Sequence, residues 1–298
     1  MKDIKNKIIT LDGGTGRELE AQGASIDPPL WSANALIDDP NVVKNVHKLF
    51  IDAGSEVITT NTYAVTRYNL GNAGMAKAQG ELLDIAYEQA RLAKQEADND
   101  VRIAASIPPL TETYRADLVL GEEDLKDEYE FLIGKSIANN VDILLAETLS
   151  DAKEARIIVE LVETIKAAPP LWISFTVNEQ GDLRSGESLS EIAKELVAKG
   201  VNVVLVNCST MQNINRSMEI LGELSKKIDF QFGAYGNRYN EIRKDYKLEL
   251  KSTELKEDLC PADYTESVKY WIQQGATIVG GCCGIGPEYI RDLLENIG

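Results

Sequence analysis

Three cysteines in the last third of the chain are placed where they could do chemistry together. Cys208 follows Val206-Asn207, and the adjacent pair Cys282-Cys283 lies within Gly280-Gly281-Cys282-Cys283-Gly284. Thiolates suit a borderline-soft ion such as Zn²⁺, which prefers tetrahedral coordination. Three protein ligands leave a fourth position open, the mark of a catalytic rather than a structural zinc site. The flanking glycines let the backbone take the tight path that aims two consecutive side chains at one ion. Other readings of the same residues stand beside this one. A buried cysteine is often a small hydrophobe, and the adjacent pair could be a vicinal disulfide, although it lacks the C-x-x-C spacing of a redox site. The fourth cysteine, Cys260 beside Pro261, could close a four-cysteine structural site. The three-thiolate reading is preferred, and it has a chemical consequence. One dication against three thiolates leaves a net negative cluster, a poor Lewis acid that can still hold a substrate thiol as its thiolate. Such a thiolate attacks a soft electrophile, for example a methyl group on a positively charged sulfur or nitrogen. The physical reading stops at zinc–thiolate alkyl transfer.

These residues need a scaffold that brings distant segments together. Short apolar, β-branched runs occur at residues 8–11, 56–60, 101–106, 142–146, 171–177, 201–207, 230–234 and 277–280. Most are continuous rather than alternating, which marks strands buried on both faces of a parallel sheet. Helical patterns separate them. Residues 151–166 carry Ala152, Ala155, Val159, Val162 and Ile165 on one face. Ser188 and Glu191 form a capping box opening a helix that Gly200 ends. Asp39-Pro40 opens another that stops before Gly54, and Pro287 opens the last. Eight βα units in a chain of 298 residues predict a single-domain α/β fold, a (β/α)8 TIM barrel spanning 1–298. A doubly wound sheet is less consistent, because Asp12-Gly13-Gly14-Thr15-Gly16 lacks the G-x-G-x-x-G spacing. The mixed-charge stretch 240–258 predicts a long loop after the seventh strand. In a barrel the chemistry sits at the carboxyl ends of the strands. Those ends carry Asp12, Asn61, Thr62, Glu147, Cys208 and Cys282-Cys283, all on one face.

Composition narrows the partners. Lys and Arg number 31 and Asp and Glu 48, a net charge of −17. That acidity disfavours nucleic acid and anionic membrane surfaces. The basic start at residues 1–7 precedes too short an apolar stretch for a signal peptide, and no run is long enough to span a membrane, so the expected location is cytoplasmic.

Several motifs together resemble the homocysteine S-methyltransferases. They are Leu11-Asp12-Gly13-Gly14-Thr15-Gly16, Leu30-Trp31-Ser32-Ala33, Thr60-Asn61-Thr62-Tyr63, Ala146-Glu147-Thr148, Val206-Asn207-Cys208 and Gly280-Gly281-Cys282-Cys283-Gly284. The resemblance runs from Leu11 to Pro287 and implies a zinc barrel that methylates L-homocysteine to methionine. It makes Cys208, Cys282 and Cys283 the zinc ligands, with the substrate sulfur in the fourth position, and counts Glu147 with them in the catalytic set. Asp12 and Glu147 would receive the substrate ammonium, while the Gly13 N–H and Thr62 would hold its carboxylate. A zwitterion needs acceptors at one end and donors at the other. Trp31-Ser32-Ala33 is most similar to the branch using S-methylmethionine or S-adenosylmethionine. Trp31 could hold that sulfonium by cation–π attraction, with Tyr63 and Tyr114 as weaker parts of the same wall. Thr148 stands where the betaine-dependent relatives carry a zinc-reaching tyrosine. The alternatives are betaine or a separate methyl-cobalamin protein as methyl donor, or a non-catalytic barrel with structural zinc. His47, the only histidine, lies on a predicted helix and is assigned no role.

Overall fold

The fold is seen in a computed structural model that describes residues 7–240, 255–256 and 258–297. Its strands are β1 (Ile9–Thr10), β2 (Val57–Thr59), β3 (Arg102–Ile107), β4 (Ile143–Leu149), β5 (Leu171–Phe175), β6 (Val203–Asn207), β7 (Gln231–Gly236) and β8 (Ile278–Gly281). All pair in parallel, in the order β1-β8-β7-β6-β5-β4-β3-β2. The two ends of that order meet. Leu11 bridges Val57, Glu56 N donates to Thr10 O at 2.8 Å, and Asp12 N donates to Val57 O at 3.0 Å. The result is the expected (β/α)8 barrel. Among the described residues no helix is long and apolar enough to cross a membrane.

Helices cover the outside. They are α1 (Thr15–Ala21), α2 (Ala33–Asp38), α3 (Pro40–Asp52), α4 (Arg67–Asn72), α5 (Gln79–Gln95), α6 (Glu122–Ala138), α7 (Ala152–Glu163), α8 (Leu189–Ala198), α9 (Met211–Ser225), α10 (Pro261–Gln273) and α11 (Pro287–Ile297). The expected caps form: Asp39 accepts from Asn41 N, and Ser188 accepts from Glu191 N. Helix α7 stops three residues before the predicted Lys166. The chain turns at Ala167 (φ 59°) ahead of Pro169-Pro170, and a residue before proline is pushed out of the helical region. Strand β4 runs three residues past its predicted end. A register shift between Ala146 and Leu149 lets Leu149 pair with Phe175, so Glu147-Thr148 sits within a bulge. Of the predicted loop at 240–258, residues 241–254 and 257 lie outside the described residues, as do residues 1–6 of the basic start.

Side chains alternate between the two faces of each strand, and that alternation builds the floor of the site. Leu11, Val57, Ala104, Ile143, Leu145, Trp172, Val203, Leu205 and Ile278 fill the barrel interior. Their neighbours Ile58, Ala105, Leu144, Ile173, Val204 and Val279 face the helices. Two residues further along the inward rows come Thr59, Ser106, Glu147, Ser174, Asn207 and Tyr235. The barrel is therefore plugged by apolar side chains and topped by a polar layer.

Candidate active site

That polar layer holds two buried carboxylates. Asp12, at the end of β1, is 2% exposed and accepts from Thr59 N at 2.7 Å and from Thr59 Oγ1 at 3.0 Å. Burial pushes its carboxyl up to about 8 against the pull of those bonds, and the nearby Glu147 charge adds to the rise. Glu147, on β4, accepts from Ser106 Oγ at 2.5 Å and Tyr235 OH at 3.0 Å. Burial raises it too, with the bonds from Ser106 and Tyr235 opposing and the charge of Cys283 reinforcing. Two carboxyls whose ionisation burial opposes, set above an apolar plug, favour a cationic neighbour, since a positive charge beside them restores the charged form.

The three cysteines converge on the same cavity. Their Sγ atoms all lie within 4.8 Å of one another, and Cys208 and Cys283 are 3.8 Å apart. Tetrahedral zinc with bonds of about 2.3 Å to sulfur sets sulfur–sulfur edges of about 3.8 Å. The spacing fits. Cys208 is reached by a turn into the left-handed region (φ 48°) just past β6, tied by Cys208 N to Tyr235 O at 3.2 Å. Cys282 N donates to Gly236 O at 2.8 Å, and Arg238 N to Cys283 O at 2.9 Å, so the end of β7 sets both neighbours. The glycines act in different ways. Gly284 has φ 80°, as a tight turn requires, whereas Gly280 and Gly281 belong to β8. A Cβ on Gly14 would lie 2.6 Å from Cys282 O, so the loop after β1 can lie against the cysteine pair only without a side chain there.

The thiols also share protons unequally. Cys283 is held well below the ordinary thiol range by hydrogen bonds from Cys208 and Cys282, while its bond with Cys208 pushes Cys282 well above it. One thiolate forms readily, and a second beside it is opposed by like charge. A dication is what would let all three ionise. Cys260 is apart from the group, exposed at the start of α10, with Sγ 3.1 Å from Asp263 Oδ2. It joins no four-cysteine site.

The remaining predicted residues divide. Gly13, Trp31, Tyr63, Tyr114 and Thr148 line the cavity with Asp12, Glu147 and the three cysteines. Tyr114 OH lies 2.9 Å from Cys208 Sγ. Thr62 is not among the lining residues: its Oγ1 donates to Ser106 O at 2.6 Å, behind the wall. His47 is buried in α3, away from the cavity, and burial lowers it to about 4. Sequence reasoning missed Thr59, Ser106, Tyr235, Tyr239 and Arg17. A period-two count along β2, β3 and β7 would have found the first three. Arg17 and Tyr239 come from connecting segments and carried no such signal.

The comparison with known proteins now decides the family. A family profile described as homocysteine S-methyltransferase matches residues 9–297. The chain belongs to the homocysteine S-methyltransferase family. As a family member it is a methyltransferase, and its relatives match over nearly their full length. Homocysteine S-methyltransferase 2 of Zea mays is 29% identical, covering 99% of this chain and 91% of the relative. Homocysteine S-methyltransferase 1 of Zea mays is 31% identical, covering 96% and 93%. The metallated homocysteine methyltransferase MmuM of Escherichia coli has the same fold, with a TM-score of 0.80 over 96% of this chain and 95% of that one at 24% identity. Methyl transfer to homocysteine by a homocysteine S-methyltransferase requires a receptor for an amino acid and a place for its sulfur. The cavity holds two buried carboxyls and three converging sulfurs.

Proposed function

We propose that this chain transfers a methyl group from a sulfonium compound, S-methylmethionine or S-adenosylmethionine, to the thiol of L-homocysteine, with zinc held by Cys208, Cys282 and Cys283. The observation that supports the reading is the meeting, in one cavity, of three sulfurs within 4.8 Å of one another with the buried carboxyls of Asp12 and Glu147. When bound, zinc would acidify the homocysteine thiol and keep it as a nucleophilic thiolate at neutral pH.

The chain's own residues do the positioning. Asp12 and Glu147 take the substrate ammonium, and each acidic group arrives pre-bonded, to Thr59 in one case and to Ser106 and Tyr235 in the other. Gly13 offers its backbone N–H to the substrate carboxylate, while Thr62 fixes the Thr60–Asn61 wall through Ser106 O. Trp31, Tyr63 and Tyr114 present aromatic faces to a cationic methyl donor and keep water from it. The homocysteine sulfur attacks the methyl carbon in line. A new S–CH₃ bond forms as the old S⁺–CH₃ bond breaks, and that bond's electron pair stays on the departing neutral thioether. The thiol proton passes to solvent, so no general acid is required. The protein contributes alignment and charge placement.

The test measures zinc per chain and then methionine formed from homocysteine with S-methylmethionine, S-adenosylmethionine and betaine in parallel. The expected result is about one zinc per chain and turnover with a sulfonium. Zinc-loaded protein that makes methionine only from betaine, or from none of the three, sinks the reading.

A further inference from the structure

The cavity is lined by acidic groups, two carboxyls and three thiols, yet Arg17 is part of its wall. Among the described lining residues it is the only lysine, arginine or histidine. It stands on α1, next after the loop of Asp12, Gly13 and Gly14, and its side chain is only 16% exposed. Its guanidinium lies over the Tyr239 ring, 5.9 Å from the centroid, and Tyr239 packs with Tyr114 in the cluster that holds the cysteines.

The exposed Glu20 carboxylate takes Arg17 Nη1 at 2.7 Å. A half-exposed i,i+3 pair of this kind contributes little; together with the Tyr239 contact it holds the guanidinium at the cavity wall. The sign of the charge is the puzzle. A bare sulfonium would be repelled by a guanidinium on the wall. A sulfonium that also carries a carboxylate reverses the sign, because guanidinium and carboxylate form a forked, charge-assisted pair. The substrate homocysteine places its charged end in the polar layer, at Asp12 and Glu147. Arg17 belongs instead to the connection between β1 and α3 that also supplies Trp31, the residue read above as facing the methyl donor.

We infer that Arg17 selects methyl donors of the amino-acid type by binding their carboxylate, which makes it a specificity-determining residue rather than part of the homocysteine receptor. This rests on the sulfonium reading above. Glu20, on the solvent side, keeps the fork oriented.

The experiment compares S-methyl-L-methionine with its carboxamide, which keeps the sulfonium and ammonium and removes only the anion, in the wild-type protein, Arg17→Gln and Arg17→Lys. The wild type should favour the carboxylate over the amide by about tenfold to a hundredfold in kcat/KM, the range of a charge-assisted contact. Arg17→Gln should reduce that ratio to about threefold or less, chiefly through the KM of the methyl donor, with the KM of homocysteine unchanged. Arg17→Lys should retain an intermediate ratio, which decides the matter if the glutamine variant does not fold. An equal loss on both compounds would mean that Arg17 only supports the thiolate cluster, and a raised homocysteine KM would mean that it holds the other substrate. Either result overturns the inference while leaving methyl transfer intact. A wild-type protein that uses neither compound overturns the sulfonium reading itself, and this inference with it.

Discussion

Asn207 is bonded twice to Thr148. Its Oδ1 accepts from Thr148 N at 3.0 Å, and its Nδ2 donates to Thr148 Oγ1 at 2.8 Å, while Ser174 Oγ donates to the same Oδ1 at 2.7 Å. One side chain thus joins β6, whose next residue is Cys208, to β4, whose Glu147 precedes Thr148. Both joined ends are strained: Thr148 has φ 61° and Cys208 φ 48°, in the region that L-residues, and β-branched ones above all, avoid. The hydrogen bonds hold the Cys208 strand and the Glu147 strand in one fixed relation.

Asn207→Ala should therefore cost about 2–4 kcal/mol, since it leaves buried partners on two strands unsatisfied. Zinc affinity should fall with it, because the turn that aims Cys208 loses its anchor. Chemical denaturation and a competitive chelator titration measure the two effects. A variant with unchanged zinc affinity would show that the Thr148 link does not position Cys208.

The site is proposed as catalytic and not structural, and metal removal separates the two. The two large apolar clusters of this barrel do not include Cys208, which packs instead with Tyr114 and Tyr239, so Cys208→Ser should keep its circular dichroism and cooperative unfolding while zinc per chain drops and turnover disappears. Chelation of the wild type should do the same, and added zinc should restore activity. A structural site would instead lose its fold along with its metal. Loss of the cooperative transition on chelation is the outcome against the catalytic assignment.

The raised carboxyl of Asp12 makes two pH predictions. In the empty site it binds its proton up to about 8, whereas an ammonium ligand needs the carboxylate. Ligand binding must then release a proton, and affinity should rise by up to about tenfold per pH unit below 8 and level off above it. Methionine, which has no thiol to titrate, isolates this effect in a calorimetric binding series. Asp12→Asn should flatten the dependence. The stability of the empty protein should run the other way. Its folded-state carboxyl lies above the ordinary 3.8, so the folded state holds the extra proton, and stability is lost as pH rises from about 4 toward about 8. At pH 8 Asp12→Asn should be more stable than the wild type by about 1–3 kcal/mol, the scale of an unpaired buried polar group, and be inactive. A less stable Asp12→Asn at that pH would contradict the assignment.

Gly14→Ala tests the close approach of the β1 loop to the cysteine pair. The added Cβ would meet Cys282 O at 2.6 Å and Cys283 Cα at 3.0 Å, both backbone atoms that cannot swing aside. The expected cost is about 1–3 kcal/mol, as for overpacking, together with weakened metal binding. Gly74→Ala, at φ 71° with nothing within 4 Å of its added Cβ, controls for backbone strain alone and should leave zinc binding intact.

Most of the scaffold could be read from the residues alone. Continuous apolar runs reported strands buried on both faces, and eight of them in 298 residues left room for little but a closed barrel. Asp39-Pro40 and Ser188 marked helix starts because capping is local chemistry. The cysteines, Asp12 and Glu147 drew attention for a related reason: three thiols arrive together at strand ends among glycines, and a buried carboxyl is costly unless it is paired. Boundaries slipped where a local rule met a long-range one, as in β4, which continues past Ala146 only because Phe175 on β5 pairs with Leu149.

What tertiary structure alone decided is which way side chains face once the strands end. Thr62 and Thr59 are alike in the sequence, yet Thr59 holds Asp12 and Thr62 turns away to Ser106 O. Tyr114 meets Cys208 across 94 positions of chain, and Arg17 and Tyr239 enter the cavity from segments without periodicity. Period and propensity act over neighbouring residues and dictate the strands and helices. Direction within a loop depends on a few positive-φ residues and on contacts between segments far apart in the chain, and those exist only after the barrel has closed.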